Sequence, residues 1–358
     1  MDVGVFCVLP DTKFLGHATS QLVADLGAYC SMLGFKIVRL QKYWPMPLKL
    51  LFSHERVGLI LYPGLLNPII TSPQELFIKG ALSIIYILTN MAMTRLLNKK
   101  TILYIYDLPI EQNLHSYGKL NYERLSRVIE RLFLKSSSVI MVFNELMARW
   151  LSRLHELNKN KFVTFDILDY GFNIEPPKAI ERSFSNKIRV IYPANFTNPR
   201  VRSCIERFIS SCDDAKLEFV LVGKGSELAW HSIRSTNVKL LGEVSQATLS
   251  RLYGYCHFGL VLKCSQYYEF GATSKFSSYL HSGLPVLVPR NYRYLSQIVE
   301  KFNVGIVFED CQDLSEKLKA LTPQAYQALS SNAMKLGDKV RRGFFFKRAL
   351  LKALKLLR

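Results

Sequence analysis

Five short stretches of this chain carry residue types able to seat an anion or handle a proton. The first is a loop with Gly271 that runs into Thr273, Ser274 and Lys275, then a helical pattern that Gly283 ends before Pro285. Thr273 and Ser274 both suit the position before a helix, where the first backbone N–H groups are unpaired and carry partial positive charge. A lysine in a first turn runs against the helix dipole, so an anion facing Lys275 would account for it. A plain helix with a solvated lysine accounts for it equally. The second stretch is a strand pattern from Phe219 that enters Gly223-Lys224-Gly225 and then an expected helix. Glycines there let backbone approach a phosphate, yet the spacing is neither G-x-G-x-x-G nor a P-loop, and a tight turn explains it as well. Asn195 ends another strand pattern, where its amide could reach a ligand or cap a turn before Pro199. Asp107 follows the apolar run Thr101–Tyr106 and precedes Pro109, a carboxylate at a strand's C-terminal edge that could bind hydroxyls, act as a base or shape a turn. Gly16 and His17 form the fifth stretch, in the loop after the first strand pattern. A lone loop histidine is more often simply exposed.

Elements able to position these residues are legible as an alternation of short β-rich runs with helical patterns, the mark of parallel α/β sheets. Strands are expected at 3–9, 36–39, 57–62, 101–106, 139–142 and 162–165, with helices at 22–33, 73–97, 122–135 and 145–154. Glu175-Pro176-Pro177-Lys178 breaks the pattern as a stiff connector. Strands then resume at 188–192, 218–222, 238–240, 258–262, 285–288 and 305–308, with helices at 201–211, 246–253, 274–281 and 295–302. The expected division is 1–175, 176–334 and a terminal helix at 335–358, with a cleft between the two larger parts.

The 358 residues are 49% hydrophobic and 21% charged, a globular composition with room for two cores. The net charge of +19 favours an anionic partner, and residues 335–358 concentrate it, with nine basic residues and one acidic. Cysteines 7, 30, 204, 212, 256, 264 and 311 show no C-x-x-C spacing, which reads as reduced core thiols in a cytoplasmic protein, with no disulfide frame and no metal site. The most apolar stretch, Ala81–Met93, is too short to cross a bilayer. No helix-turn-helix, zinc or RNP-like pattern points to nucleic acid.

The run from Ser274-Lys275-Phe276 through Tyr279-Leu280 to Gly283-Leu284-Pro285-Val286 resembles the donor-binding helix of retaining-type GT-B glycosyltransferases. It is most similar to the bacterial adhesin-glycosylating glucosyltransferases and their galactofuranosyltransferase-like relatives. Tyr192-Pro193-Ala194-Asn195-Phe196, His257-Phe258-Gly259-Leu260-Val261, Ile105-Tyr106-Asp107-Leu108-Pro109, Val142-Phe143-Asn144-Glu145-Leu146-Met147 and Phe165-Asp166-Ile167-Leu168-Asp169-Tyr170 resemble further elements of that family in the same order, as does Arg342-Gly343-Phe344 onward at the end. Three positions depart from the family. Ser277 stands where the wider class has a second donor-loop glutamate after Glu269, Tyr106 where the family has histidine, and Ser274 where it has the histidine of a P-H-K element.

The resemblance implies an α/β GT-B fold: two Rossmann-like domains facing a central cleft, with a C-terminal helix crossing back to the first. It implies transfer of a hexose from a nucleotide-sugar, UDP-linked, to a hydroxyl of a saccharide, glycolipid or glycoprotein. The donor would be held by Asn195, Gly223, Lys224, Gly225, Thr273, Ser274 and Lys275 without a metal or a separate cofactor, while Gly16, His17 and Asp107 would serve the acceptor side. Expected partners are the nucleotide-sugar, a glycan or lipid-linked acceptor, an anionic membrane surface on its inner face and, as an assembly, a homo-oligomer. Phe346, Leu350, Leu354 and Leu357 line one face of the basic terminal helix, which the family packs onto its first domain. A non-catalytic partner subunit and a sugar-nucleotide epimerase are the alternatives.

Overall fold

The computed structural model describes residues 5–10, 17–40, 57–61, 96, 98–117, 123–172, 187–212, 214, 216–229, 237–271 and 273–358. The chain forms two compact units. The first comprises Met1–Phe172, Phe270–Ala272 and Arg342–Arg358, and the second Asn173–Glu269 and Thr273–Arg341. The expected helix 73–97 (save Leu96), Gly16 and the Pro176–Pro177 connector lie outside the described residues.

In the first unit the described elements are β1 (Val5–Pro10), α1 (His17–Met32), β2 (Lys36–Leu40), β3 (Val57–Leu61), β4 (Lys100–Ile105), α2 (Pro109–Tyr117), α3 (Glu123–Ser136), β5 (Val139–Val142), α4 (Glu145–His155) and β6 (Phe162–Thr164). The strands form one parallel sheet in the order β2-β1-β3-β4-β5-β6. Every residue of β4 after Lys100 is buried, as is all of β5, because a parallel strand is covered on both faces and must be apolar throughout. Asn144 explains its own motif: its side chain accepts the Met147 N–H at 2.8 Å and caps α4.

The segment 335–358 is two helices, not one. Gly343, at φ +68°, separates α10 (Pro323–Arg341) of the second unit from α11 (Phe344–Leu356) of the first. A side chain at Gly343 would strike the Tyr29 ring at 2.5 Å, so the left-handed turn and the close approach both call for glycine. Phe346 and Leu350, each 1% exposed, belong to the first unit's core, with the Phe346 ring edge-on to Tyr104 at 5.6 Å. Asp169 accepts the backbone N–H of Phe346, so its buried carboxyl caps α11, and Arg348 reaches Asp166 at 2.6 Å. Burial pushes the Asp169 carboxyl well above the usual carboxylate range, which makes its neutral isostere a mild change. Asp169→Ala is expected to cost about 2 kcal/mol of stability and Asp169→Asn clearly less, measured by urea unfolding. Equal costs would refute the capping role.

The second unit holds β7 (Ile188–Pro193), α5 (Pro199–Ser211), β8 (Leu217–Val222), β9 (Val238–Leu240), α6 (Gln246–Tyr255), β10 (Phe258–Leu260), α7 (Ser274–His281), β11 (Val286–Pro289), α8 (Arg293–Phe302), β12 (Gly305–Phe308), α9 (Cys311–Ala320) and α10. Its parallel sheet runs β12-β11-β10-β7-β8-β9. Read from β9, that is the 3-2-1-4-5-6 order of dinucleotide-binding folds, with the reversal between β7 and β10. Helix starts follow local chemistry: Asn198 with Pro199 opens α5, Ser245 opens α6 and Asp310 opens α9, each side chain accepting a first-turn N–H.

One cysteine expectation is overturned. Cys212, capping the end of α5, is disulfide-bonded to Cys311, the first residue of α9. The two are 99 residues apart, and only the winding of the sheet brings these helix ends together, so no spacing motif exists to announce the pair. The cysteine pattern therefore lends no support to a reducing compartment. Among the described residues no cluster of three or more potential metal ligands occurs, and no helix is long and apolar enough to cross a membrane.

Candidate functional site

The strand order of the second sheet reverses between β7 and β10, which pair in parallel through Val190–Phe258 and Ile191–Gly259. In open α/β sheets the crevice beyond the strands' carboxyl ends at such a reversal is where ligands bind. Helix α7 is clamped over this point by Tyr279, whose buried hydroxyl donates to the carbonyls of Leu260 at 3.1 Å and Ile191 at 3.4 Å. Gly259 makes room: a side chain there would meet the Tyr279 ring at 2.4 Å. On its far side α7 rests on α10, where Gly337 touches the backbone of Leu280 and His281. The tyrosine of the motif is thus a structural pin, and the lysine four residues before it is what the pin positions.

Thr273 occupies the N-cap position of α7 in extended conformation, with no side-chain hydrogen bond to the helix, and Ser274 is the first helical residue. The Lys275 ammonium lies 4.3 Å over the face of the Tyr192 ring at the end of β7. Burial lowers the Lys275 ammonium from its usual value, while the nearby Cys264 and Cys204 thiols pull it back up. A partly buried ammonium in the first turn of a helix whose N-cap side chain makes no bond to it favours an arriving anion, because burial limits the water that screens the attraction.

The other expected donor residues are accounted for by the turns they build. The Asn195 side chain accepts the Thr197 N–H at 3.1 Å and the Thr197 hydroxyl at 2.7 Å, the turn-capping role. Gly223, at φ +134°, lies so near the chain after β7 that a side chain would come within 1.9 Å of the Ala194 carbonyl oxygen. Phe196 N–H donates to the Lys224 carbonyl at 2.9 Å, locking the two turns together, and Lys224 itself is exposed. The helix expected after Gly225 is a single 3₁₀ turn, Ser226–Ala229, too short to carry a useful dipole. The expected helix is thus absent there, and the glycines serve backbone packing whether or not a phosphate also approaches them.

Sequence reasoning passed over Lys263. Its ammonium pairs with Glu269 at 2.7 Å and donates to the Asn291 carbonyl at 3.0 Å, while Glu269 also accepts the Arg293 N–H at 3.3 Å. The glutamate that resembles the wider class's donor-loop carboxylate is thereby fastened to the start of α8. The partners are six positions apart, a spacing with no periodic signature. Ser277, where the wider class has a carboxylate, offers only a hydroxyl and is fully buried.

In the first unit, Asp107 follows β4 and accepts its neighbour Leu108 N–H at 3.0 Å. Burial raises its carboxyl to about 7 from the ordinary 3.8; the Leu108 bond opposes this and the Glu111 charge adds to it. The folded carboxyl holds its proton up to about pH 7 and the unfolded one only to about 3.8, so the folded state binds more protons between those values. Stability contributed by this group is therefore lost as pH rises through that window. Asp107→Asn is expected to lose less of its urea midpoint between pH 5 and pH 8 than the parent does; equal losses would argue against a buried carboxyl there. His17 is the first residue of α1, beside the β1–β3 reversal of the first sheet.

Residues 204–353 match the model of the family described as Glucosyltransferase 3-like, C-terminal domain. Glucosyltransferase 3 of Streptococcus gordonii is 27% identical over 88 residues, which span 25% of this chain and 26% of that protein. Among solved structures, sucrose-phosphate synthase from Thermosynechococcus elongatus aligns over 99% of this chain and 97% of its own at TM-score 0.59 and 14% identity. Anabaena HepE in complex with UDP aligns over 99% and 100% at 0.60 and 11%. The catalytic domain of Arabidopsis thaliana starch synthase IV, bound to ADP and acarbose, aligns over 99% of both chains at 0.59 and 11%. At these identities the structural likeness concerns the fold alone. The chain has the GT-B glycosyltransferase fold, and residues 204–353 are similar to the glucosyltransferase 3-like C-terminal domain.

Proposed function

We propose that the protein is a glycosyltransferase that moves a hexose from a UDP-linked donor to a hydroxyl of a saccharide, glycolipid or glycoprotein. The observation that carries this reading is the Lys275 ammonium at the start of α7, beside uncapped helix amides at the sheet reversal. A nucleotide-sugar loses its sugar as negative charge builds on the departing diphosphate, and donors fixed in advance stabilise that charge most. Lys275 and the first amides of α7 are such donors. HepE and starch synthase IV have UDP and ADP as bound nucleotides, each with the diphosphate this seat would take. Asp107, protonated near neutral pH, would contact acceptor hydroxyls from the first unit.

Thermal-shift titration across nucleoside diphosphates tests the donor half. A ligand at a hundred times its Kd adds about 2.7 kcal/mol, a plain rise in Tm, and absence of a shift with every nucleoside diphosphate would sink the reading. We further propose that the acceptor or its setting is anionic. The outer side of α11 exposes Leu351 and Leu356 beside Lys352 and Lys355, in a chain of net charge +19. Pelleting with phosphatidylglycerol vesicles is expected to exceed pelleting with phosphatidylcholine alone and to fall with salt; equal pelleting would remove the membrane from the proposal.

A further inference from the structure

Two thiols that no motif uses stand beside Lys275. Cys204 lies on α5 and Cys264 in the loop after β10, and both are partly exposed, unlike Cys30 and Cys256, which are fully buried. Cys204 and Cys264 lie close enough that each thiol is the largest influence on the other's proton affinity. The Tyr192 hydroxyl is 3.7 Å from Cys264 Sγ, and the Lys275 ammonium sits over that same ring at 4.3 Å. Arg207, on the same helix as Cys204, adds a second positive charge. The nucleophile in thiol chemistry is the thiolate, which hydrogen-bond donors and nearby cations stabilise.

We propose that Cys264 is a reactive thiol, a modification site for soft electrophiles and low-molecular-weight disulfides, with Cys204 as its resolving partner. The charge balance supports the geometry: the neighbouring Cys204 thiol, the Lys275 charge, the Tyr192 hydroxyl and Arg207 together outweigh burial and bring the Cys264 thiol down to about 7, while Cys204 is pushed up. In the exchange, the Cys264 thiolate attacks one sulfur of a small disulfide and forms a mixed disulfide. The expelled small thiolate takes up a proton. Cys204 then gives its proton to solvent and attacks the Cys264 sulfur, expelling the second small thiolate. Two protein thiols become one disulfide, and one small disulfide becomes two small thiols. Either adduct removes the sulfur anion that faces Lys275 and adds bulk at the end of β10. That it would thereby impede donor binding rests on the donor-seat reading above; the reactivity does not.

The full chain, treated with limiting iodoacetamide at pH 7 and mapped by peptide mass, is expected to be alkylated at Cys264 on the order of tenfold faster than at Cys256 or Cys204. The Cys264 rate should follow a titration centred near pH 7, and Lys275→Met should move that centre upward. Oxidised glutathione should leave the parent with a Cys204–Cys264 disulfide and no adduct, whereas Cys204→Ser should keep one glutathionyl group on Cys264. Equal alkylation of Cys264 and Cys256, or no adduct retained in Cys204→Ser, overturns the proposal. UDP provides the separating arm: slower Cys264 alkylation with UDP supports the donor seat. An unchanged fast rate refutes that seat and leaves the reactive thiol standing.

Discussion

Replacing Lys275 with alanine is expected to lower kcat/KM for a nucleotide-sugar by about 10²- to 10³-fold, the usual loss when one preorganised donor to a developing anion is removed. The fall should appear in kcat as well as kcat/KM, since the interaction strengthens as the diphosphate departs. Stability should change little. The ammonium is held in a position that burial disfavours, so its removal relieves a desolvation cost while losing a cation–π contact of roughly 1 kcal/mol with Tyr192. That combination separates a chemical role from a structural one. A variant that retains kcat within about threefold of the parent would refute the role.

The second large effect is expected in the first unit, in a cluster that takes no part in the proposed chemistry. Arg127 bridges Glu111 and Glu130, at 2.5 and 3.2 Å, while His155 Nε2 reaches Glu130 at 2.7 Å and Trp150 donates to Glu111 at 3.0 Å. Glu130 is wholly buried and Glu111 nearly so. Arg127→Met leaves both carboxylates facing each other without their shared cation. The expected cost is about 3 kcal/mol, the low end for a broken buried pair because 19% of the Arg127 side chain is exposed. Urea unfolding at neutral pH measures it. Adding Glu130→Gln should recover part of the loss, because one uncompensated charge goes with it. Full additivity of the two substitutions would contradict the shared network.

Much of the fold was legible from residue patterns, and the reason is physical. Val139–Val142, Gly305–Phe308 and Ser274–His281 fall at their expected bounds because buried parallel strands are continuous apolar runs and α7 is delimited by Thr273 and Gly283. Helices α2, α9 and much of α10 went unassigned, and α10 depends on a close fit of Gly337 against α7 that no periodicity announces. Within the site, Lys275 was visible as a charge in an unfavourable place. Its true neighbours were not: Tyr192, Cys204 and Cys264 come from three separate segments and meet only because β7 and β10 are adjacent. Gly223 and Gly225 show the converse. Their spacing fits a phosphate turn and a packing turn alike, and the 1.9 Å approach to Ala194 that calls for glycine has no signature in the sequence.

The Asp169 carboxyl binds a backbone amide 177 residues further along the chain. A ribosome builds every residue of the second unit before it reaches Phe346, so the first unit emerges first and is completed last. Until then Asp169 has no helix to cap, and the Tyr29 and Tyr104 rings lack their Phe346 neighbour. Nascent chains halted anywhere before α11 therefore display an apolar sheet face and a naked buried acid, the features that chaperones hold and proteases cut. The first unit thus carries its own check that synthesis has passed α11.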